Sequence, residues 1–240
     1  MSQSLEGPKV KFKEYTGRET ELRIVSETLI NSGNFGKIYD SVIEIGGLQR
    51  RFIVKKYSTM LSTITGTNAE WALKNYSLAK KAGLRVFPTF RISKDRASIL
   101  MTTGFFNDKI CVASNDHYTV DKFGRALILE IENIDEFLSN FFTESLKAAQ
   151  QGIQIHFDVF FFILNKNEPT KIDFVLGDLD NLYKAGRTKE TGVHNMNSAR
   201  DALHVFFTRN TDPIKKREFL SKVENSFSTG IVSVMNSTLK

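Results

Sequence analysis

Residues 31–56, NSGNFGKIYDSVIEIGGLQRRFIVKK, constrain the fold of this chain more than any other stretch. They read as a strand, a glycine-bearing turn, a second strand, a Gly-Gly turn and a third strand that ends in lysine. Ser32, Gly33 and Gly36 are small enough to let backbone N–H groups close over a phosphate, and Phe35 stands at the tip of that turn. At Gly46-Gly47 the backbone can take positive φ without a steric penalty, as a tight hairpin requires. Phe52-Ile53-Val54-Lys55 then places one amine on a strand, 19 positions after Gly36.

The rest of the chain bounds what this hairpin can belong to. At 240 residues there is room for one sizeable domain or for two lobes. The formal charge of +6 is compatible with an anionic partner and equally with ordinary solubilising lysines. One cysteine, Cys111, excludes an internal disulfide and a cysteine-rich metal site, and it points to a reducing, cytoplasmic setting. No run approaches the ~20 apolar residues of a membrane span, so a membrane partner is not expected. The first residues lack the apolar segment of a secretory signal.

Taken in order, residues 1–18 read as an arm or a short edge strand, and Glu21–Ile30 as the strand entering the glycine turn. Ser58–Thr67 is a connecting loop, and Asn68 an N-cap for a helix that runs to a glycine stop at Gly83. Two strands, Thr89–Ile92 and Ala97–Met101, flank a turn at Ser93–Arg96. Residues 105–125 read as a hairpin or loop insertion. Phe137, Leu138, Phe141, Phe142 and Leu146 recur at helical spacing in a long helix that begins near Ile134, the mark of core packing. The apolar run Phe157–Leu164 suits a buried strand or loop. A basic loop carrying Lys184, Arg187 and Lys189 follows, then helices at Asp201–Phe207 and from Asp212-Pro213. His194 and His204 have no partner spacing that supports a metal site.

The order of these features resembles the protein-kinase superfamily. Gly33, Gly36 and Ile38 fit its glycine-rich loop, with Asn31 where the first glycine belongs, and Lys55 fits its strand lysine. Lys80-Lys81-Ala82-Gly83 and Pro88 are similar to wording in small atypical kinases, and the short C-terminal part resembles small-molecule kinases of the aminoglycoside-phosphotransferase type. Gly152-Ile153-Gln154-Ile155-His156-Phe157-Asp158-Val159 resembles the catalytic loop, and Ile172-Asp173-Phe174 resembles the magnesium-binding motif, with Val175 in place of its glycine.

The resemblance implies an α+β, protein-kinase-like bilobal fold. Its N-lobe (19–103) would be a five-stranded antiparallel sheet with one helix, its C-lobe (104–240) compact and mainly helical, with 1–18 as an arm. It implies ATP and Mg2+ as cofactors and a hydroxyl acceptor of unspecified kind. Gly33, Asn34, Phe35, Gly36 and Ile38 would cover the phosphates, Lys55 would be held against them by Glu70, and Met101 and Thr102 would border the adenine. Asp158 would take the acceptor's proton, His156 would brace the loop, and Asp173 would bind magnesium. Asp178 and Asp180 could hold a second cation or belong to a solvated turn. The family's second metal ligand, an asparagine five positions after the aspartate, is replaced by Ile163, so either Asn165 or an acid of 178–180 substitutes or one metal site is missing. Three readings stay open: an active phosphotransferase, a pseudokinase that binds nucleotide or partners with a degenerate loop, and a basic binding protein of a different fold.

Overall fold

A computed structural model describes residues 8–33, 36–58, 69–101, 109–116, 128–165 and 170–240. The chain forms two compact units, one of Met1–Ser77 with Phe87–Gly104, the other of Leu78–Val86 with Phe105–Lys240.

The first unit is built on six strands: β1 (Lys9–Glu14), β2 (Glu19–Gly33), β3 (Gly36–Ile45), β4 (Leu48–Tyr57), β5 (Phe90–Ser93) and β6 (Ser98–Met101). They close into an antiparallel barrel in the order β1-β2-β3-β4-β6-β5. The expected five-stranded sheet is therefore corrected to a six-stranded closed barrel. The extra strand comes from the segment expected as an arm or edge strand, and β1 pairs on both sides, with β2 and with β5. Its outward Lys9, Lys11 and Lys13 are exposed and give it a polar look, whereas Phe12 is 2% exposed inside the barrel. There it packs with Leu22, Ile24, Ile43, Phe52, Val54 and Leu100.

Turn chemistry fixes the register. Ile45 pairs with Leu48 across Gly46 and Gly47, whose φ values of 58° and 80° are those of a two-residue hairpin loop. Helix α1 spans Ala69–Lys81, ending before Gly83 at φ 69° as the glycine stop predicts. On its barrel side, Tyr76 stacks on Phe90 with ring centroids 4.8 Å apart and donates its hydroxyl to Phe87 O at 3.0 Å. Burial, with Tyr15 and Glu14 nearby, pushes the Tyr76 phenol up to about 12. The residues expected as the loop Ser58–Thr67 and the cap Asn68 lie largely outside the described residues.

The second unit contains β7 (Lys109–Ala113), α2 (Ile134–Gln150), β8 (Ile153–Ile155), β9 (Phe160–Asn165), β10 (Ile172–Leu176), β11 (Leu182–Lys184), α3 (Lys189–Asn210) and α4 (Pro213–Met235). One sheet has the order β10-β9-β7, and β11 pairs with β8. Its core is a phenylalanine cluster. The Phe141 ring of α2 lies 4.5 Å from that of Phe160, 4.8 Å from Phe174 and 5.6 Å from Phe162. From the other side the Phe206 ring of α3 packs 4.3 Å from Phe162.

The helix expected over Asp201–Phe207 is three turns longer at its start. Thr188 caps it by accepting a hydrogen bond from Thr191 N at 3.2 Å. Buried Thr191, Asn195 and Ser198 interrupt the apolar periodicity of this first half, which hides it from a hydrophobic count. Among the described residues no helix is long and apolar enough to cross a membrane.

Phe141→Ala removes the centre of the cluster and should destabilise the protein by about 3–5 kcal/mol. Urea denaturation would measure this, and a loss under about 1 kcal/mol would show that the cluster does not organise the second unit.

Candidate functional site

In the first unit the expected loop residues occupy a hairpin. Gly33 pairs with Gly36, so the connecting residues are Asn34 and Phe35, which lie outside the described residues, as does Thr102. Gly36 has a packing reason of its own: a Cβ there would stand 2.2 Å from Lys56 O of the neighbouring strand. Ile38 is the register partner of Lys55. Alternation along β4 puts Phe52 and Val54 in the barrel core and Lys55 on the opposite face. The Lys55 ammonium lies 5.0 Å from the Tyr57 ring centroid. Glu70, expected to hold Lys55, is bound by Arg96 with Oε1 and Nη1 3.0 Å apart. Met101 ends β6 at 8% exposure, paired with Ile53 and Phe90.

In the second unit, Gly152 turns the chain from α2 into β8 at φ 68°, where a Cβ would meet Ala185 O at 2.8 Å. β8 delivers His156, and a single 3-10 turn, Phe157–Val159, carries Asp158. His156 Nδ1 is hydrogen-bonded to Asp158 Oδ1, so the imidazole braces the carboxylate directly. A second 3-10 turn, Leu179–Asn181, packs against the first. Two backbone bonds join these segments: Gly177 N donates to Val159 O at 2.8 Å, and His156 N donates to Asn181 O at 3.2 Å. Asp178 immediately precedes the second turn and Asp180, 7% exposed, lies within it. The two turns thus bring three carboxyl-bearing residues onto segments that are bonded together.

Asp173 is placed differently. It lies within β10, opposite Ile163, five residues before Asp178. Arg85 Nη2 reaches both its oxygens, at 2.7 and 2.8 Å, while the guanidinium sits 4.6 Å from the Phe174 ring centroid. Asn165 ends β9 opposite Lys109. The run Phe160–Ile163 is strand, with Phe160 and Phe162 fully buried and Ile163 8% exposed. Only Val159 separates Asp158 from that strand, so the longer loop that could carry a second metal ligand is absent here.

Sequence reasoning missed Asn195. Fully buried on α3, its Oδ1 accepts from Ile155 N at 2.9 Å, and its Nδ2 donates to Ile153 O at 2.8 Å and to Ser145 O at 3.2 Å. One amide therefore joins α3, α2 and the strand leading to His156. An asparagine inside a helix was the available signal, since that residue type is favoured at caps rather than interiors, but Asn197 two positions on carries the same signal. Asn195→Leu should cost about 1–3 kcal/mol by leaving the Ile155 N–H buried without a partner. Hydrogen exchange at Ile155 should quicken as well, and unchanged exchange there would remove Asn195 from this role.

The connection from Asn181 to α3 is short. Residues 182–184 pair with β8, Ala185 N donates to Gly152 O at 2.8 Å, and Thr188 already caps the helix.

Among the described residues no three His, Cys, Asp or Glu side chains group to hold a metal unaided. Mg2+ needs no such cluster, since it takes one or two carboxylates together with phosphate oxygens and water.

No family model matches the chain, and no curated protein matches it in sequence. Solved structures do. The Mycobacterium tuberculosis PknI kinase domain is 12% identical with a TM-score of 0.47, over 88% of this chain and 87% of that one. The ROP18 kinase domain, solved in complex with AMP-PNP and sucrose, is 12% identical with a TM-score of 0.49, over 95% and 86%. Rad53 1–466 in complex with AMP-PNP is 16% identical with a TM-score of 0.48, over 83% of this chain and 52% of that one. At these identities and TM-scores the likeness is one of general arrangement and assigns no residue a role.

Proposed function

We propose that this chain is a kinase-like phosphotransferase that moves the γ-phosphate of ATP, with Mg2+, to a hydroxyl acceptor. The observation that carries this reading is the pair of turns bonded through Gly177–Val159 and His156–Asn181, which puts Asp158, Asp178 and Asp180 on backbone segments that are joined. Phosphoryl transfer asks little covalent chemistry of the protein and depends on positioning and charge neutralisation. In this reading the acceptor oxygen attacks the γ-phosphorus, the bond to the β–γ bridging oxygen breaks, ADP leaves, and the hydroxyl proton passes to Asp158. His156 holds the Asp158 carboxylate in orientation. Bound magnesium would neutralise charge on the phosphates, and Asp178, rather than Asp173, would hold it. Two facts support that shift: the Asp173 carboxylate is taken by Arg85, and Asp178 follows the end of β10 where the chain meets the Asp158 turn. Lys55 keeps the phosphate-binding role that the sequence resemblance gives it.

A pseudokinase is the second reading, favoured by one observation. With Phe160–Ile163 committed to a strand, no asparagine follows Asp158 within the catalytic turn.

Thermal-shift titration with ATP, with and without magnesium, separates the two. On the first reading the wild type and Asp173→Asn show a magnesium-dependent shift, and Asp178→Asn loses it. Asp158→Asn should keep the shift while ATP turnover falls about 10²–10⁴-fold, the usual contribution of a positioned base. A magnesium-independent shift without turnover would leave the pseudokinase reading. If Asp173→Asn alone removed the shift, the assignment to Asp178 would be wrong.

A further inference from the structure

The second unit also holds a cavity of about 500 Å³, and none of its lining residues belongs to the Asp158 or Asp178 turns. Its floor is apolar: Phe137, Ile172 and Phe174 are buried, and Ile163 is 8% exposed. Asn133 fixes that floor, since its Nδ2 donates to Ile172 O at 2.9 Å and its Oδ1 accepts from Ile172 N at 3.0 Å. The walls are polar. Arg85, Lys109 and Lys171 bring three cations against the two carboxylates of Glu136 and Asp173.

These charges are not equivalent. Asp173 is already matched by Arg85, which is also held over Phe174. Lys109 and Lys171 are exposed and make no ion pair among the described residues. They flank β9 at the same end of the sheet, about 10 Å apart by strand spacing: Lys109 pairs with Asn165 from β7, and Lys171 immediately precedes β10 on the other side. Two flexible ammonium groups at one rim form a point-charge receptor for a phosphate. Asn140, Asn165 and Glu136 add amide and carboxylate groups, which can accept from hydroxyls and, for the amides, donate to them. The volume lies within the range for small-molecule sites, but the walls are more polar than those of a site for an apolar ligand.

We propose that this cavity binds a phosphorylated, hydroxyl-rich small molecule of the sugar-phosphate class. Lys109 and Lys171 take the phosphate, Asn140 and Glu136 take hydroxyls, and the apolar floor meets the carbon skeleton. The site stands apart from the phosphotransfer reading, and each can fail without the other.

Calorimetric titration of the full chain at low salt would compare glucose 6-phosphate, glucose and inorganic phosphate. The expected result is that glucose 6-phosphate binds at least about tenfold more tightly than inorganic phosphate, with glucose weaker still. Lys109→Ala with Lys171→Ala should weaken it by about tenfold or more, and Asn140→Ala by about threefold. Asp178→Asn should leave it unchanged. Lys109, Lys171 and Asn140 are exposed and line the cavity, whereas Asp178 is half-buried away from it, and circular dichroism would confirm that each variant folds. Equal affinity for phosphate and glucose 6-phosphate would reduce the cavity to a general anion site and overturn the proposal. Absence of binding, or binding indifferent to the two lysines, would overturn it as well.

Discussion

Phe160 and Phe162, fully buried against Phe141, set the geometry on which the second unit depends. Because side chains alternate along a strand, burying these two rings on one face turns Phe161, Ile163 and Asn165 to the other. It also forces β9 to begin directly after Val159, which shortens the turn carrying Asp158 to a single 3-10 turn. β10 pairs with β9 throughout, so Asp173 is fixed opposite Ile163 and the chain leaves the sheet only after Leu176. Hydrophobic packing thereby decides which carboxylate stands in mid-strand and which stands at the strand's end. A change in the phenylalanine pattern would shift those positions before it touched any polar residue.

Polar groups then hold what packing places. Asn195 satisfies one amide and two carbonyls in a region that water does not reach, and buried polar groups left unpaired would be costly there. Gly152 lets β8 pass within 2.8 Å of Ala185 O at the position of a Cβ, an approach that only glycine permits. Glu144, 7% exposed, accepts from the Arg85 backbone N–H, which anchors the segment from which Arg85 reaches Asp173. Each contact lies outside the carboxylates it positions.

The sequence made some of this legible and concealed the rest for physical reasons. The two-residue Gly46-Gly47 hairpin, the glycine stop at Gly83 and the helix beginning at Ile134 follow from local rules, because their signals are backbone conformation and apolar spacing. β1 was legible as no more than an arm or a short edge strand, because three exposed lysines alternate with its inward residues and nothing local shows that it pairs on both sides. The first half of α3 escaped because buried polar residues interrupt its apolar stripe. Within the candidate site, the His156–Asp158 segment was visible from residue type and order. The bond between the Asp158 turn and residues 177–181 was not, since it is made by backbone atoms, which leave no mark in composition. The Ile-Asp-Phe wording drew attention to Asp173, and only strand register separates that residue from Asp178. Glu70 was read as the partner of Lys55, but it pairs with Arg96, which stands in a turn at φ 61°, beyond any sequence spacing rule.

The barrel is closed, but its ladder is not uniform. β1 covers β2 only between Glu19 and Arg23, while β2 continues to Gly33 with β3 as its partner among the described strands. Val25, Leu29 and Ile30 are exposed along this stretch, at 40%, 51% and 55%. Among the described residues this stretch has one unpaired side and an apolar surface, the features of a template for pairing with another chain. At high concentration, strand-to-strand self-association of this protein would therefore start at the far half of β2, while the closed half of the barrel offers no edge to recruit a neighbour.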